Sequence, residues 1–411
     1  MTSDLKICEY IADKLKDYND ILKYSKNLTV EIPNIYRETF YPKTLSHGIP
    51  SLIMMYSVLY KVTGKEEYFL CSYRYIERLV KLINEEGIES PSLYAGTAGI
   101  ALAIYEAGLN KTYYSGLLND LNSLLKKQIN EKLKLCFSNL SASNIKPDDY
   151  DMVNGFSGIV NYLLLEKEFF VKELEDIGDY FKKLIEFHLS LFSKIDNNLN
   201  LEEIDLGMAH GIIGPLLMLA KLVENGVISR DIKDVIEEFV IFFLDCRRED
   251  GLWPGKVMLK NYKKSNIANS PSRMAWCYGT PGVGAALYKV CSYFDLSYKE
   301  EIVKSLLEQI NSEEKNLNSY SFCHGAAGNS YIYYLMGNRE HSELMRNFAS
   351  FLRQKVIDNF SLSAKFGYYD TDKIGDKIVK LESVGILQGV SGLILFLLDK
   401  DGDFLWKKMF L

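Results

Sequence analysis

Three residues stand out for the chemistry they could do: Cys277, Cys323 and His324. Two thiols and an imidazole suit a divalent zinc ion, and two thiolates would neutralise its charge. Three protein ligands leave the fourth position for water or substrate, the pattern of a catalytic rather than a structural zinc. A substrate thiol in that position would lose its proton readily and remain nucleophilic. The spacing alone is a limited signal, since the two cysteines are 46 residues apart and no Cys-x-x-Cys occurs. Each of the three could instead be an ordinary buried residue. Their position within a repeat favours ligation.

That repeat runs the length of the chain. Gly-x-x-Gly followed by an apolar run begins at Gly96, Gly155, Gly211, Gly279, Gly325 and Gly389, with a degenerate copy from Gly48 to Ser51. The gaps between first glycines are 48, 59, 56, 68, 46 and 64 residues. Runs such as IALAIYEAG after Gly99 and LILFLLD after Gly392 are apolar nearly all round, which marks buried helices. Between them, segments such as 66–84 and 228–246 carry apolar residues at a period near 3.6, as half-exposed helices do. The expected fold is therefore all-α. It is an α/α toroid of seven helical hairpins and fourteen helices, in an inner and an outer ring, built as a single domain over 1–411. An open solenoid fits less well, because no repeat offers a polar cap. The first glycine of each pair lets the chain turn tightly into the helix, and the second lets helices approach closely. Two stretches, 246–272 and 360–388, break the rhythm and read as insertions, lids or small β elements at one rim.

Position in the repeat groups the reactive residues. Cys277 lies two residues before Gly279, Cys323 two before Gly325, and His324 one before it. His210 precedes Gly211, Asp151 stands four before Gly155, and Arg273 six before Gly279. Equivalent repeats would gather all of these at the N-terminal ends of the inner helices, where the helix dipole favours thiolates. The bland readings stay open beside this one. His210 could be a satisfied buried histidine, Asp151 an acid placed for the helix dipole, and Arg273 half of a structural ion pair. His47 reads as structural, while His188 and His341 read as solvent-facing on outer helices. Cys8, Cys71, Cys136, Cys246 and Cys291 read as small core residues.

Composition narrows the function. The chain has 411 residues, is 47% hydrophobic and 25% charged, and carries a net charge of −6. It offers no basic stripe for phosphates, so no nucleic-acid partner is expected. The one dense lysine run, Lys260 to Lys264, reads as a solvated loop. The seven cysteines are odd in number and form no disulfide framework. No signal core opens the chain and no apolar run is long enough to span a membrane, so a reduced, cytoplasmic setting is expected.

The motifs Ala209-His210-Gly211, Trp276-Cys277-Tyr278-Gly279 and Cys323-His324-Gly325, on a sevenfold repeat, resemble the lanthionine synthetase C-like family. The resemblance covers essentially the whole chain. Size and the lack of a fused dehydratase look like the stand-alone class I lantibiotic cyclases. It implies an α/α toroid with one zinc ion held by Cys277, Cys323 and His324. It also implies catalytic roles for His210, Arg273, Asp151 and Tyr278. The implied reaction adds a peptide cysteine to dehydroalanine or dehydrobutyrine, closing a thioether ring. The implied partners are a dehydrated precursor peptide with its leader, and a dehydratase and exporter complex that would hold the protein at the membrane periphery. Some members of the family carry a small β-rich extension, which either irregular stretch could supply.

Three rivals remain at this level. A zinc enzyme resembling protein prenyltransferase β subunits also activates a peptide thiol, but its ligands include an Asp. A non-catalytic zinc- and glutathione-binding member of the same family would leave His210, Arg273 and Asp151 idle. A glycoside hydrolase needs two facing carboxylates, and beyond Asp151 and the less well placed Asp205 the rim positions offer few.

Overall fold

The computed structural model describes residues 3–27, 40–109, 111–193, 203–258, 272–313, 318–374, 377–399 and 404–411. The lysine run 260–264 and part of the stretch 246–272 lie outside them. In chain order the helices are α1 (Ser3–Lys14), α2 (Tyr18–Asn27), α3 (Ile49–Thr63), α4 (Glu66–Glu86), α5 (Thr97–Ala107) and α6 (Ser115–Ser141). Then follow α7 (Pro147–Tyr150), α8 (Phe156–Leu163), α9 (Val171–Ser193), α10 (Ile213–Glu224), α11 (Lys233–Asp245) and α12 (Thr280–Phe294). The last four are α13 (Lys299–Asn311), α14 (Ala326–Arg339), α15 (Glu343–Asp358) and α16 (Val390–Leu398).

Seven of these, α3, α5, α8, α10, α12, α14 and α16, begin within two residues of a repeat's first glycine. They form because apolar side chains cover their whole circumference. All nine residues of α16 are buried, and each of its Leu and Ile side chains contributes about 1.5–3 kcal/mol by leaving water. The partner helices carry one apolar stripe. In α4 it is Tyr68, Cys71, Tyr75, Ile76 and Leu79, at helical spacing. Among the described residues the fourteen expected helices are present with two additions, α2 and the single turn α7.

The chain divides into two compact units. One comprises Met1–Ser90, Tyr94–Asn122 and Leu317–Phe410. Its centre is α3, which packs on α4, α5 and α16, while α14 packs on α15 and α16. Here the two ends of the chain meet, since α1 packs on α16. Arg353 of α15 clasps both elements, donating to Asp4 at 2.8 Å and to the Leu397 carbonyl at 2.7 Å.

The other unit comprises Pro91–Leu93, Ser123–Asn316 and Leu411. In it α10 packs on α8, α9 and α12, with α11 on α9 and α13 on α12. It contains the antiparallel pair β1 (Glu203–Asp205) and β2 (Lys256–Met258), with Asp205 opposite Lys256. The first unit holds the pair β3 (Asp370–Ile374) and β4 (Lys377–Leu381), with Asp370 opposite Leu381. Thus β2 falls in the irregular stretch 246–272, and the β3–β4 hairpin lies within 360–388.

Two expectations are corrected. His188 lies on outer helix α9 yet is buried, because α9 packs on α11 and brings the ring 6.5 Å from that of Phe239. Its Nδ1 lies 2.8 Å from the Leu184 carbonyl, and burial lowers its pKa. His341 is exposed as expected, but in the turn between α14 and α15. The second glycine of the repeat also has a further reason. A Cβ on Gly282 would stand 2.0 Å from the Trp276 carbonyl, and one on Gly328 1.9 Å from that of Phe322. There the crowding comes from the chain's own loop six residues upstream, whereas a Cβ on Gly214 would meet the Ser157 side chain of α8 at 3.2 Å, the close helix approach that was expected.

Candidate active site

The loops that lead into the buried helices hydrogen-bond to one another in a repeating register. In the second unit Met152 N donates to the Ala209 carbonyl, and Ala209 N to that of Cys277, both at 3.1 Å. In the first, Ser46 N donates to the Tyr94 carbonyl at 3.0 Å and Cys323 N to that of Leu387 at 2.9 Å. Apart from Met152, each of these residues stands two before its repeat glycine. Residues of equal phase therefore become neighbours, although 48 to 68 residues separate their glycines.

This register joins Asp151 to His210. His210 Nδ1 lies 2.6 Å from Asp151 Oδ2. The carboxylate is fully buried, whereas the imidazole is partly exposed. The other carboxylate oxygen, Oδ1, accepts from Asn154 N at 2.6 Å and Gly155 N at 2.8 Å, bracing the turn that leads into α8. One oxygen thus braces the turn before α8 while the other faces the imidazole. The hydrogen bond to Asp151 raises the His210 pKa against the opposing effect of burial.

Tyr278 completes this group from the loop before α12. Its ring lies 6.4 Å from that of His210, tilted by 39°. Burial, followed by the neighbouring Asp205, holds its phenol well above the usual range, so it is neutral at ordinary pH. The phenol stands beside Asp205, whose Oδ1 accepts from Gly207 N at 2.8 Å. Burial raises the Asp205 pKa. Sequence reading noticed Asp205 only as a poorly placed acid. Its approach depends on the β1–β2 pairing and on Gly207, where a Cβ would meet the Tyr278 ring at 2.5 Å. No motif carries that information.

Arg273 is half-buried in the same loop, four residues ahead of Cys277. The loop is wound so tightly that a Cβ on Gly279 would stand 1.6 Å from the Arg273 carbonyl. Gly279 also has φ +109, a conformation other residues rarely adopt. Among the described residues, the contacts joining Asp151, His210, Tyr278 and Asp205 do not include Arg273.

Among the described residues, Cys277, Cys323 and His324 form a group able to hold a metal ion, with ligand atoms all within 4.8 Å of one another. Cys277 and His324 are buried, while Cys323 is partly exposed. Both thiols are free of disulfides. His324 Nε2 is sealed from solvent without a hydrogen-bond partner, an arrangement that costs about 1–3 kcal/mol unless something compensates it. Two sulfurs and one nitrogen are a zinc donor set, so these residues fit the ion. The other five cysteines are buried, as expected of core residues. Burial raises the thiol pKa of each, so they remain inert.

The family model for lanthionine synthetase C-like proteins matches residues 39–411. The nisin biosynthesis protein NisC of Lactococcus lactis subsp. lactis is 28% identical over 371 residues, covering 86% of this chain and 84% of that protein. A solved structure of nisin cyclase superposes with a TM-score of 0.73 and 25% identity, over 95% of this chain and 96% of its own. The fold class is the α/α toroid that the glycine repeat led us to expect. The chain belongs to the lanthionine synthetase C-like family.

Proposed function

We propose that this protein is a zinc-dependent lanthipeptide cyclase. It adds cysteine thiols of a dehydrated precursor peptide to dehydroalanine or dehydrobutyrine, forming lanthionine and methyllanthionine rings. The observation that carries this reading is the donor group Cys277, Cys323 and His324 in a chain of this family that also pairs His210 with Asp151. Nisin cyclase and the nisin biosynthesis protein are the named relatives that support it.

Cys277, Cys323 and His324 would hold one zinc ion. When bound, the ion lowers the pKa of a substrate thiol so that it is nucleophilic at neutral pH. The partial exposure of Cys323 marks the side from which a peptide thiol would arrive. The remaining work falls to side chains. Attack of sulfur on the β-carbon forms the C–S bond and drives the alkene electrons toward the carbonyl, giving an enolate. Arg273 supplies positive charge for the enolate oxygen. A proton must then reach the α-carbon, and we assign it to His210. With Nδ1 bound to Asp151, the imidazole has Nε2 left for proton transfer, and the carboxylate favours the protonated ring. Tyr278, held neutral beside Asp205, borders the imidazole and limits its movement.

The substrate must already contain dehydroamino acids, so a dehydratase acts before this step. Association with that enzyme and an exporter is part of the proposal, and co-purification of the three would test it. Among the described residues, no helix is long and apolar enough to cross a membrane.

The test is incubation of the zinc-loaded protein with a dehydrated precursor peptide. Cyclisation consumes free thiols without changing peptide mass, so a maleimide should cease to label a product of unaltered mass. Thiols that stay reactive would refute the cyclase reading. Saturable binding of glutathione without thiol consumption would support the non-catalytic alternative instead.

A further inference from the structure

Behind His324 stands a carboxylate that no motif announced. Asp370, the first residue of β3, directs Oδ2 at His324 Nε2 across 3.9 Å. Its other oxygen, Oδ1, is held by three donors: Ser319 Oγ at 2.6 Å, Thr371 N at 3.0 Å and Tyr320 N at 3.3 Å. One oxygen is thus anchored to the surrounding backbone and hydroxyl, and the other faces the imidazole. Both side chains are largely buried. Of the two ring nitrogens of His324, only Nε2 is among the sealed polar atoms without a partner. Asp370 is not part of the group whose ligand atoms lie within 4.8 Å of one another, so it stands to one side of the donors.

We propose that Asp370 is a positioning residue for the metal centre, accepting a hydrogen bond from His324 Nε2–H and thereby presenting Nδ1 to the metal. The proposal rests on the zinc reading above. A ligating imidazole commonly donates its remaining N–H to a carboxylate, which selects the tautomer, orients the ring and makes the ligand nitrogen more basic. The anchoring of Oδ1 suits that task, because a carboxylate held at one oxygen can direct the other without swinging away. A shift of about 1 Å brings the pair from 3.9 Å into hydrogen-bond range. The β3–β4 hairpin that interrupts the helical repeat acquires a purpose by carrying this carboxylate.

The test is zinc affinity, measured by competition with a chromophoric chelator on the full chain. Asp370→Asn keeps the shape and an oxygen for the three donors but turns an amide toward the ring. It should weaken zinc binding by about 10–100-fold. Ser319→Ala, which only loosens the carboxylate, should weaken it less and in the same direction. Selective nitrogen-15 labelling of the five histidines in zinc-loaded protein should show His324 coordinating through Nδ1 with a proton on Nε2. Wild-type zinc affinity in Asp370→Asn, or coordination through Nε2, would overturn the assignment. His324→Ala separates the two levels of the argument. If it binds zinc as tightly as wild type, the ligand reading itself fails. If it loses zinc while Asp370→Asn does not, only the role of Asp370 fails.

Discussion

At the scale of single residues, the proposed chemistry turns on how Asp151 divides its oxygens. One braces the turn before α8 and the other holds His210, so a change that removes both roles would be uninformative. Asp151→Asn keeps an oxygen for the N–H groups of Asn154 and Gly155 and removes the charge beside the imidazole. Because Asp151 raises the His210 pKa, its loss lowers that pKa. A general acid works only while protonated, so activity falls as pH rises through its pKa. The basic limb of the kcat/KM profile should therefore move to lower pH in Asp151→Asn, while zinc content stays unchanged. An unmoved limb would exclude Asp151 from tuning the proton donor. His210→Ala should retain zinc and lose about 10²–10⁴-fold in turnover. Cyclisation at the wild-type rate in that variant would remove His210 from the mechanism. The ligands behave in the opposite way. Cys277→Ala, Cys323→Ala and His324→Ala should lose both zinc and cyclisation, and metal analysis showing full occupancy in Cys277→Ala would refute its assignment.

At the scale of elements, what matters is that equal repeat phase becomes physical adjacency. The link from Ala209 N to the Cys277 carbonyl places the His210 loop against the metal-ligand loop. The glycines enforce the tight loop that this contact requires. Gly282→Ala would thrust a Cβ to 2.0 Å from the Trp276 carbonyl, a backbone atom that cannot swing aside. The expected cost is about 1–3 kcal/mol, with weaker zinc binding because Cys277 belongs to the displaced loop. Unchanged denaturant midpoint and zinc affinity would show that the loop can relax. This phase relation was legible in the sequence because it needs only glycines and apolar runs. Cys277, Cys323, His324, His210 and Asp151 could be gathered from it before any coordinates. Asp205 and Asp370 could not. Both sit on short strands whose partners are set by pairing, Asp205 opposite Lys256 and Asp370 opposite Leu381. A three-residue strand such as β1 has too little alternation to be read from sequence. His188 escaped for a related reason: one polar residue on an amphipathic helix does not reveal whether a second helix covers it.

At the scale of the whole molecule, the question is whether the metal serves the fold or only the reaction. Each unit has a centre made of apolar helices, α3 with α16 in one and α10 with α12 in the other, and neither centre contains a ligand side chain. The proposed ligands come from loops that precede helices. Hydrophobic burial on this scale supplies far more stabilisation than one ion, in contrast to small domains that fold only around zinc. Chelation should therefore abolish cyclisation while leaving the far-ultraviolet circular dichroism of the helices unchanged. The melting temperature should still fall, because any ligand bound only by the folded state stabilises it by mass action. At a free zinc concentration 1,000 times Kd, that contribution is about 4 kcal/mol. Adding zinc back should restore both melting temperature and cyclisation without a refolding step. Loss of the helical signal on chelation would show that the ion organises the fold, and would move Cys277, Cys323 and His324 from a catalytic centre to a structural one.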